Sequence, residues 1–190
     1  MADRPENPQP RKLRLRFRSG ADFTAGAREM LGPGLAEREA AQARLENPEP
    51  GDVMPDGSVF AGISPDTGAR MFVTPRDTGL SMIFNDAAAH ALDLCMQKAL
   101  GRADWRLPSD GELLEIYAQS EKGALAGTFD TENVKGASWY WSSTESKKTR
   151  KKDAEGMRAV RFSDGTAATL HPDGSTVSVR CLRTAPVWKP

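Results

Sequence analysis

The stretch "ADWRLPSDGELLEIY", residues 103–117, sets a tryptophan, an arginine and a proline directly before a helix start. Ser109 is a strong N-cap and Glu112 stands three residues on, so "SDGE" reads as a capping box. Pro108 disfavours helical backbone at Leu107, which keeps the helix from beginning earlier. Leu113, Leu114, Ile116 and Tyr117 then recur at helical spacing as an apolar stripe. Trp105 and Leu107 precede the cap and are placed to pack over its first turns. This pattern specifies a well-capped core helix in preference to a catalytic segment.

Outward from that helix, "SVFAGI" and "ARMFVT" flank "SPDTG" and predict a hairpin. Asn85 is a cap for a helix running to about Leu100, with Gly101 as its stop. Its buried stripe would hold Ala88, Leu92, Cys95, Met96 and Ala99. Residues 118–138 are rich in Gly, Thr and Ala and read as a long loop. "SWYWSST", "MRAVRF", "AATL" and "VSVRCLR" are short strands, with "SDGT" and "HPDGS" as the turns between the last three. A hairpin, two helices and an antiparallel meander make an α+β domain.

Residues 1–50 have a different texture, and the chain divides into this arm and a domain at 51–190. The first twelve residues, rich in Pro and charge, read as a tail. In "RKLRLRFR", Leu13, Leu15 and Phe17 alternate with Lys12, Arg14, Arg16 and Arg18, a strand with one apolar and one basic face. It is either an arm for a partner or a polyanion, or an edge strand whose charges block aggregation. "GPG" at 32–34 is a break, "LAEREAAQARLEN" at 35–47 a short amphipathic helix, and "PEPGD" at 48–52 a linker. Residues 10–46 are the expected segment for self-association or for an assembly partner, because the apolar face of the strand needs cover.

The 190 residues carry 26 Lys and Arg against 26 Asp and Glu, which argues against a dedicated nucleic-acid binder. No apolar run approaches a membrane span. "MADRPENPQPRKLRLRFRSG" holds no apolar core of a secretory signal, so the expectation is a cytoplasmic protein, within a phage-like particle or exported by a non-standard route.

"DWRLPSDGEL" at 104–113, "YWSST" at 140–144, "RFSDG" at 161–165 and "VRCLR" at 179–183 occur in this order. Together they resemble the C-terminal domain family of the Legionella collagen-like adhesin, which has a C-type-lectin-like fold. The resemblance covers roughly residues 53–183 and includes an upstream segment, "GISPDTGARMFVTP". It implies that Trp105, Leu107, Trp139 and Trp141 join the core between helices and sheet. With Arg106 and Pro108 they are fold determinants that fix where the second helix begins. Arg106 would pair with an acidic side chain or a carbonyl beneath that joint.

Cys95 falls on the first helix and Cys181 on the last strand. In lectin-like domains a staple between these elements is common, so the resemblance implies that the two are adjacent, as thiols or as a disulfide. The absence of a signal segment favours thiols.

Enzyme readings find little support. His90 shares a helix face with Asp86 and Asp93, which is an exposed polar face or a metal or acid–base cluster. His171 lies in a turn. No "GxSxG" elbow and no glycine-rich phosphate loop occurs. "WRLP" is also similar to the fold of formylglycine-generating enzymes, but this chain lacks their cysteine context. "FDTEN" at 129–133 offers Asp130, Glu132 and Asn133 as weak calcium ligands. We therefore expect no catalytic residue, no metal and no cofactor.

The most distinctive surface feature is "ESKKTRKK", 145–152. Lys147, Lys148, Arg150, Lys151 and Lys152 form a cationic run, which is either a solvated loop or a polyanion site. The adhesin resemblance, through that family's association with sulfated glycans, implies the second. The expected function is a non-catalytic binding protein for a glycan, a polyanion or a cell-surface protein. The alternative is a structural or receptor-binding component of a phage or phage-like particle, including the variable proteins of diversity-generating systems.

Overall fold

The computed structural model describes residues 33–132, 138–146 and 155–186. The expected strand at 12–18, Asn133 and the cationic run at 147–152 lie outside these residues. The chain divides into two compact units, residues 1–43 and 44–190. Helix α1 (Pro33–Glu46) crosses that division. It begins at the proline of "GPG", which was expected to be a break. Proline has no N–H to lose at a first helical position and its φ is already helical. The side chains described along α1 are all exposed.

The second unit is α+β. Its described strands form two antiparallel three-stranded sheets. The first holds β1 (Val59–Ile63), β2 (Arg70–Val73) and β6 (Leu182–Ala185), with β2 central. The expected hairpin is there, with a register shift between Phe60 and Gly62. The second sheet is a meander of β3 (Trp139–Ser146), β4 (Gly156–Arg161) and β5 (Ala167–Leu170). The last strand departs from the expected single meander. It crosses to pair with β2, Val73 opposite Leu182 and Arg70 opposite Ala185. On the way it is stitched to three other segments, through Val177 with Met82, Ser178 with Tyr140 and Leu182 with Arg106. Residues 177–183 are consequently buried without a break.

Helix α2 (Phe84–Met96) differs from its expected form in two ways. It starts before Asn85, with Ile83 at the cap and no side-chain cap bond. It also stops at Met96, short of Leu100, because Lys98 (φ 49°) and Leu100 (φ 53°) leave the right-handed region. The buried face is rotated from the expected one. Ala87 and Ala91 are fully inside, Leu94 and Cys95 partly so, while Ala88, Leu92 and Met96 face water.

The expected linker at 48–52 is part of the body. Gly51 donates its N–H to Phe60 O (2.8 Å) and accepts from Ala124 N (2.9 Å). A Cβ there would stand 2.4 Å from Lys122 O, so only glycine allows this approach.

Helix α3 (Asp110–Gln119) has the predicted capping box. Ser109 Oγ accepts from Glu112 N (3.0 Å) and Glu112 Oε2 accepts from Ser109 N (2.9 Å). Leu113 and Ile116 are buried, Tyr117 is half-buried, and Leu114 turns outward.

Each residue of "WRLP" makes a joint. Trp105 Nε1 donates to Ala99 O, and its ring shares a core cluster with Leu107, Trp141 and Cys181. Arg106 exchanges both backbone hydrogen bonds with Leu182. The Pro108 carbonyl accepts from Ser143 N (2.7 Å). Arg106 Nη1 and Nη2 each lie 2.7 Å from one carboxylate oxygen of Glu112. Glu112 also accepts from Ser64 Oγ (2.8 Å), in the turn after β1. One buried carboxylate thus fixes the hairpin, the joint and the helix cap.

Burial pushes the Glu112 carboxyl up, but Arg106, the Ser109 N–H and Ser64 outweigh it and hold it below its ordinary 4.5. A carboxyl depressed in the fold stabilises above its ordinary value, and that contribution fades as pH falls through the lowered one. Glu112→Gln is expected to cost about 2–3 kcal/mol at neutral pH, less than for a wholly buried pair because Arg106 keeps part of its side chain in water. In thermal melts between about pH 7 and pH 3 the wild type should lose more stability than the variant as the medium is acidified.

Candidate ligand-binding surface

Trp105, Leu107 and Trp141 are buried in one cluster with helix α2, and Trp139 packs against it half-exposed. Arg161 lies over the Trp139 ring at 5.2 Å and closes the "SDG" turn through an ion pair with Asp164. Pro108 is buried beside them.

Cys95 and Cys181 are free thiols of that same cluster. Cys95 donates to Trp105 O at 2.9 Å. Burial, and then the nearness of Cys95, push the Cys181 thiol up to about 12. Cys181 therefore stays protonated at neutral pH and is a poor nucleophile.

Helix α2 brings Asp86, His90 and Asp93 together on one wall of a hollow of about 470 Å³. Among the described residues no group of three His, Cys, Asp or Glu is arranged to hold a metal ion. His171 Nδ1 accepts from the N–H groups of Asp173 and Gly174 and so organises its turn. Asp130 Oδ1 likewise accepts from Glu132 N within the loop.

Sequence reasoning missed the most polar part of the core. Arg180, in the doubly buried final segment, has a fully buried side chain. Its Nε donates to Asp77 Oδ1 (2.6 Å), Nη1 to Thr74 O (2.7 Å) and Nη2 to Thr128 O (2.6 Å). The guanidinium also stacks on Phe129 at 4.1 Å. Tyr140 donates to the other Asp77 oxygen and accepts from Asp130 N (2.8 Å). Burial raises the Asp77 carboxyl despite Arg180 and Tyr140. The residues are engaged with one another, so this cluster holds the loops at 74–78 and 128–130 onto the last strand.

A second missed pair is Arg183 with Asp56 (2.7 Å), where Arg183 also lies over Phe72. Burial raises Asp56, but Ser58, Arg102 and Arg183 outweigh it and bring it down to about 2. The available signal was two arginines three residues apart in the otherwise apolar run "VRCLR", a spacing that one outward face of a strand does not accommodate.

Among the described residues, an apolar hollow of about 350 Å³ lies beside α2, lined by Phe84, Ala88, Leu92, Trp105 and Leu107, with Arg106 at its polar edge. Of the cationic run the structure describes only the anchors. Ser146 and Gly156 are register partners at the paired ends of β3 and β4, and residues 147–155 connect them.

Arg180→Met would strand the Asp77 carboxyl in the core and is expected to cost about 3–5 kcal/mol. Tyr140→Phe removes one hydrogen bond from the same group and should cost about 1–1.5 kcal/mol. Urea unfolding of the two variants measures the contrast.

The family model of the Lcl C-terminal domain matches residues 64–183, more than half of the chain. The match runs from the hairpin turn to the second residue of β6. No curated protein matches the chain.

Proposed function

Since the chain belongs to the Lcl C-terminal domain family, we propose that it is a non-catalytic binding protein recognising a glycan, a polyanion or another cell-surface ligand. The family supports an adhesin-like role. A C-type-lectin-like arrangement is the reading we adopt for its fold. It is supported by the pairing of the hairpin strand β2 with the final strand β6, which joins the two ends of the domain.

One observation carries the choice of a polyanion. Residues 44–132, 138–146 and 155–186 hold 19 Asp and Glu against 11 Lys and Arg. The connection between β3 and β4 instead concentrates five cations within six residues, 147–152. On an acidic body such a run is the part of the domain that attracts sulfated or carboxylated polymers, and salt weakens that attraction. The ligand would bind through Lys147, Lys148, Arg150, Lys151 and Lys152.

We also propose that residues 10–46 mediate self-association. The alternation of Leu13, Leu15 and Phe17 with cations supports this, because an extended segment of that pattern needs one apolar and one anionic surface.

Replacing the five cations of 147–152 with serine should abolish salt-sensitive retention on a heparin column while leaving the thermal melt unchanged. Retention equal to the wild type would remove the run from the site.

A further inference from the structure

Arg106 lines the apolar hollow of about 350 Å³ beside α2, and one edge of its guanidinium is unused. A guanidinium carries five N–H groups in a fixed plane. One on Nη1 and one on Nη2 go to the two oxygens of Glu112, and the other on Nη1 goes to the Leu107 carbonyl at 3.1 Å. The Nε–H and the other N–H of Nη2 meet no acceptor among the described residues. In the planar group these two lie side by side and parallel, the spacing that matches the two oxygens of a carboxylate. Exposure agrees with this assignment. The Glu112 side chain is 1% exposed and that of Arg106 40%, so the edge turned away from Glu112 is the one that reaches solvent.

The rest of the hollow is apolar. Phe84, Ala88, Ala91, Leu92, Trp105 and Leu107 form its walls, and Ser143 stands with Arg106 at the rim. Leu92 is 60% exposed, an apolar surface that a ligand would cover. Ligand pockets run from about 300 to about 1,000 Å³, so this one suits a small body such as a single aromatic ring or a short branched chain. The charges that act on Arg106 are those of Glu112 and Asp66. Glu112 already accepts from Ser64, Ser109 and Arg106, so its oxygens are engaged within the fold. The two carboxylates offset the field of Arg106, and an anion would be recognised by the paired N–H groups rather than by net charge. Glu112 also holds the guanidinium in one orientation before any ligand arrives, which lowers the cost of binding.

We propose that this hollow binds a small carboxylate with an apolar body, one aromatic ring or a short branched chain. The carboxylate accepts from Nε and Nη2 of Arg106, and the body packs against Phe84, Leu92, Trp105 and Leu107. The site goes beyond the polyanion reading, since it uses none of the cations at 147–152 and takes one small molecule rather than a polymer.

Calorimetry on the full chain at neutral pH, with phenylpropionate, its alcohol phenylpropanol and acetate, separates the two parts of the site. Phenylpropionate is expected to bind at least about tenfold more tightly than either of the others. Ala88→Phe sets a ring into the hollow from an exposed helix position, and should weaken phenylpropionate binding at least about tenfold with the thermal melt unchanged. Arg106→Lys keeps the charge and loses the fork, so it should bring phenylpropionate down to the level of the alcohol. If that variant does not fold, the comparison of acid with alcohol on the wild type decides the role of the guanidinium. The chain with serine at the five cations of 147–152 should bind phenylpropionate like the wild type. Equal binding of acid and alcohol, an Ala88→Phe chain that binds like the wild type, or no binding at millimolar phenylpropionate would each overturn the proposal. Loss of binding in the serine variant would overturn it too, by assigning the anion to the cationic run. None of these results depends on heparin retention, so this site and the polyanion reading stand or fall separately.

Discussion

The bidentate contact between Arg106 and Glu112 is the constraint on which the rest of this domain depends. Its geometry is the planar fork of a guanidinium on both oxygens of a carboxylate, which a lysine would not reproduce. The Glu112 carboxylate is buried, so its desolvation has to be offset by every hydrogen bond it accepts. Ser64, Arg106 and Ser109 provide them, and each comes from a different element. The backbone of Arg106 meanwhile pairs with Leu182, which carries the same joint into the first sheet. A residue that on its helix is a capping-box glutamate is thus also the node between hairpin, joint and final strand.

Arg180 repeats the principle at the other side of the core. Its guanidinium collects a carboxylate, two backbone carbonyls and an aromatic face, which between them replace the water it has lost. In the loops at 74–78 and 128–130, the carbonyls of Thr74 and Thr128 accept from this side chain. Buried pairs of this kind add little net stability when compared with apolar packing, but losing one partner is costly. They specify which loop conformation the strand will accept. The tight contact of Gly51 with Lys122 and Ala124 works the same way, through close approach of backbone that no side chain may interrupt.

The parts of the fold visible in the sequence are those written in local chemistry. Ser109 and Glu112 announce a capping box whatever the tertiary context, and the structure contains it. The hairpin around "SPDTG" is equally local. What failed to show was decided by long-range contacts. Ala88, Leu92 and Met96 sit at helical spacing and were expected inside, yet the small residues Ala87 and Ala91 face the core. The reason is that Trp105 and Trp141 fill the space against α2, and only alanine leaves room for a helix to come that near. The final strand was assigned to the meander because sequential strands usually neighbour one another. Its pairing with β2 depends on Arg106 and Leu182 meeting, a contact 76 residues apart in the chain. Arg180 was not singled out because nothing local reveals that the segment 177–183 is covered on both sides. Of the surface features, the cationic run was legible as composition, and its anchoring at Ser146 and Gly156 followed from the structure.

Charge is where composition misled most. A formal net charge of zero suggests a surface without a preference, but the charges are segregated along the chain. Within the body, Arg106, Arg158, Arg161, Arg180 and Arg183 are each committed to a carboxylate of the same fold, and Arg102 joins Arg183 at Asp56. These pairs consume a large share of the body's cations in internal work and leave the surplus carboxylates facing water. Screening at physiological salt limits exposed charges to a reach of about 8 Å, so a distant surplus of one sign does not cancel a local run of the other. In the sequence, 11–18 and 147–152 are thus two local excesses of positive charge, and the exposed carboxylates Asp86 and Asp93 of α2 are a local excess of the other sign.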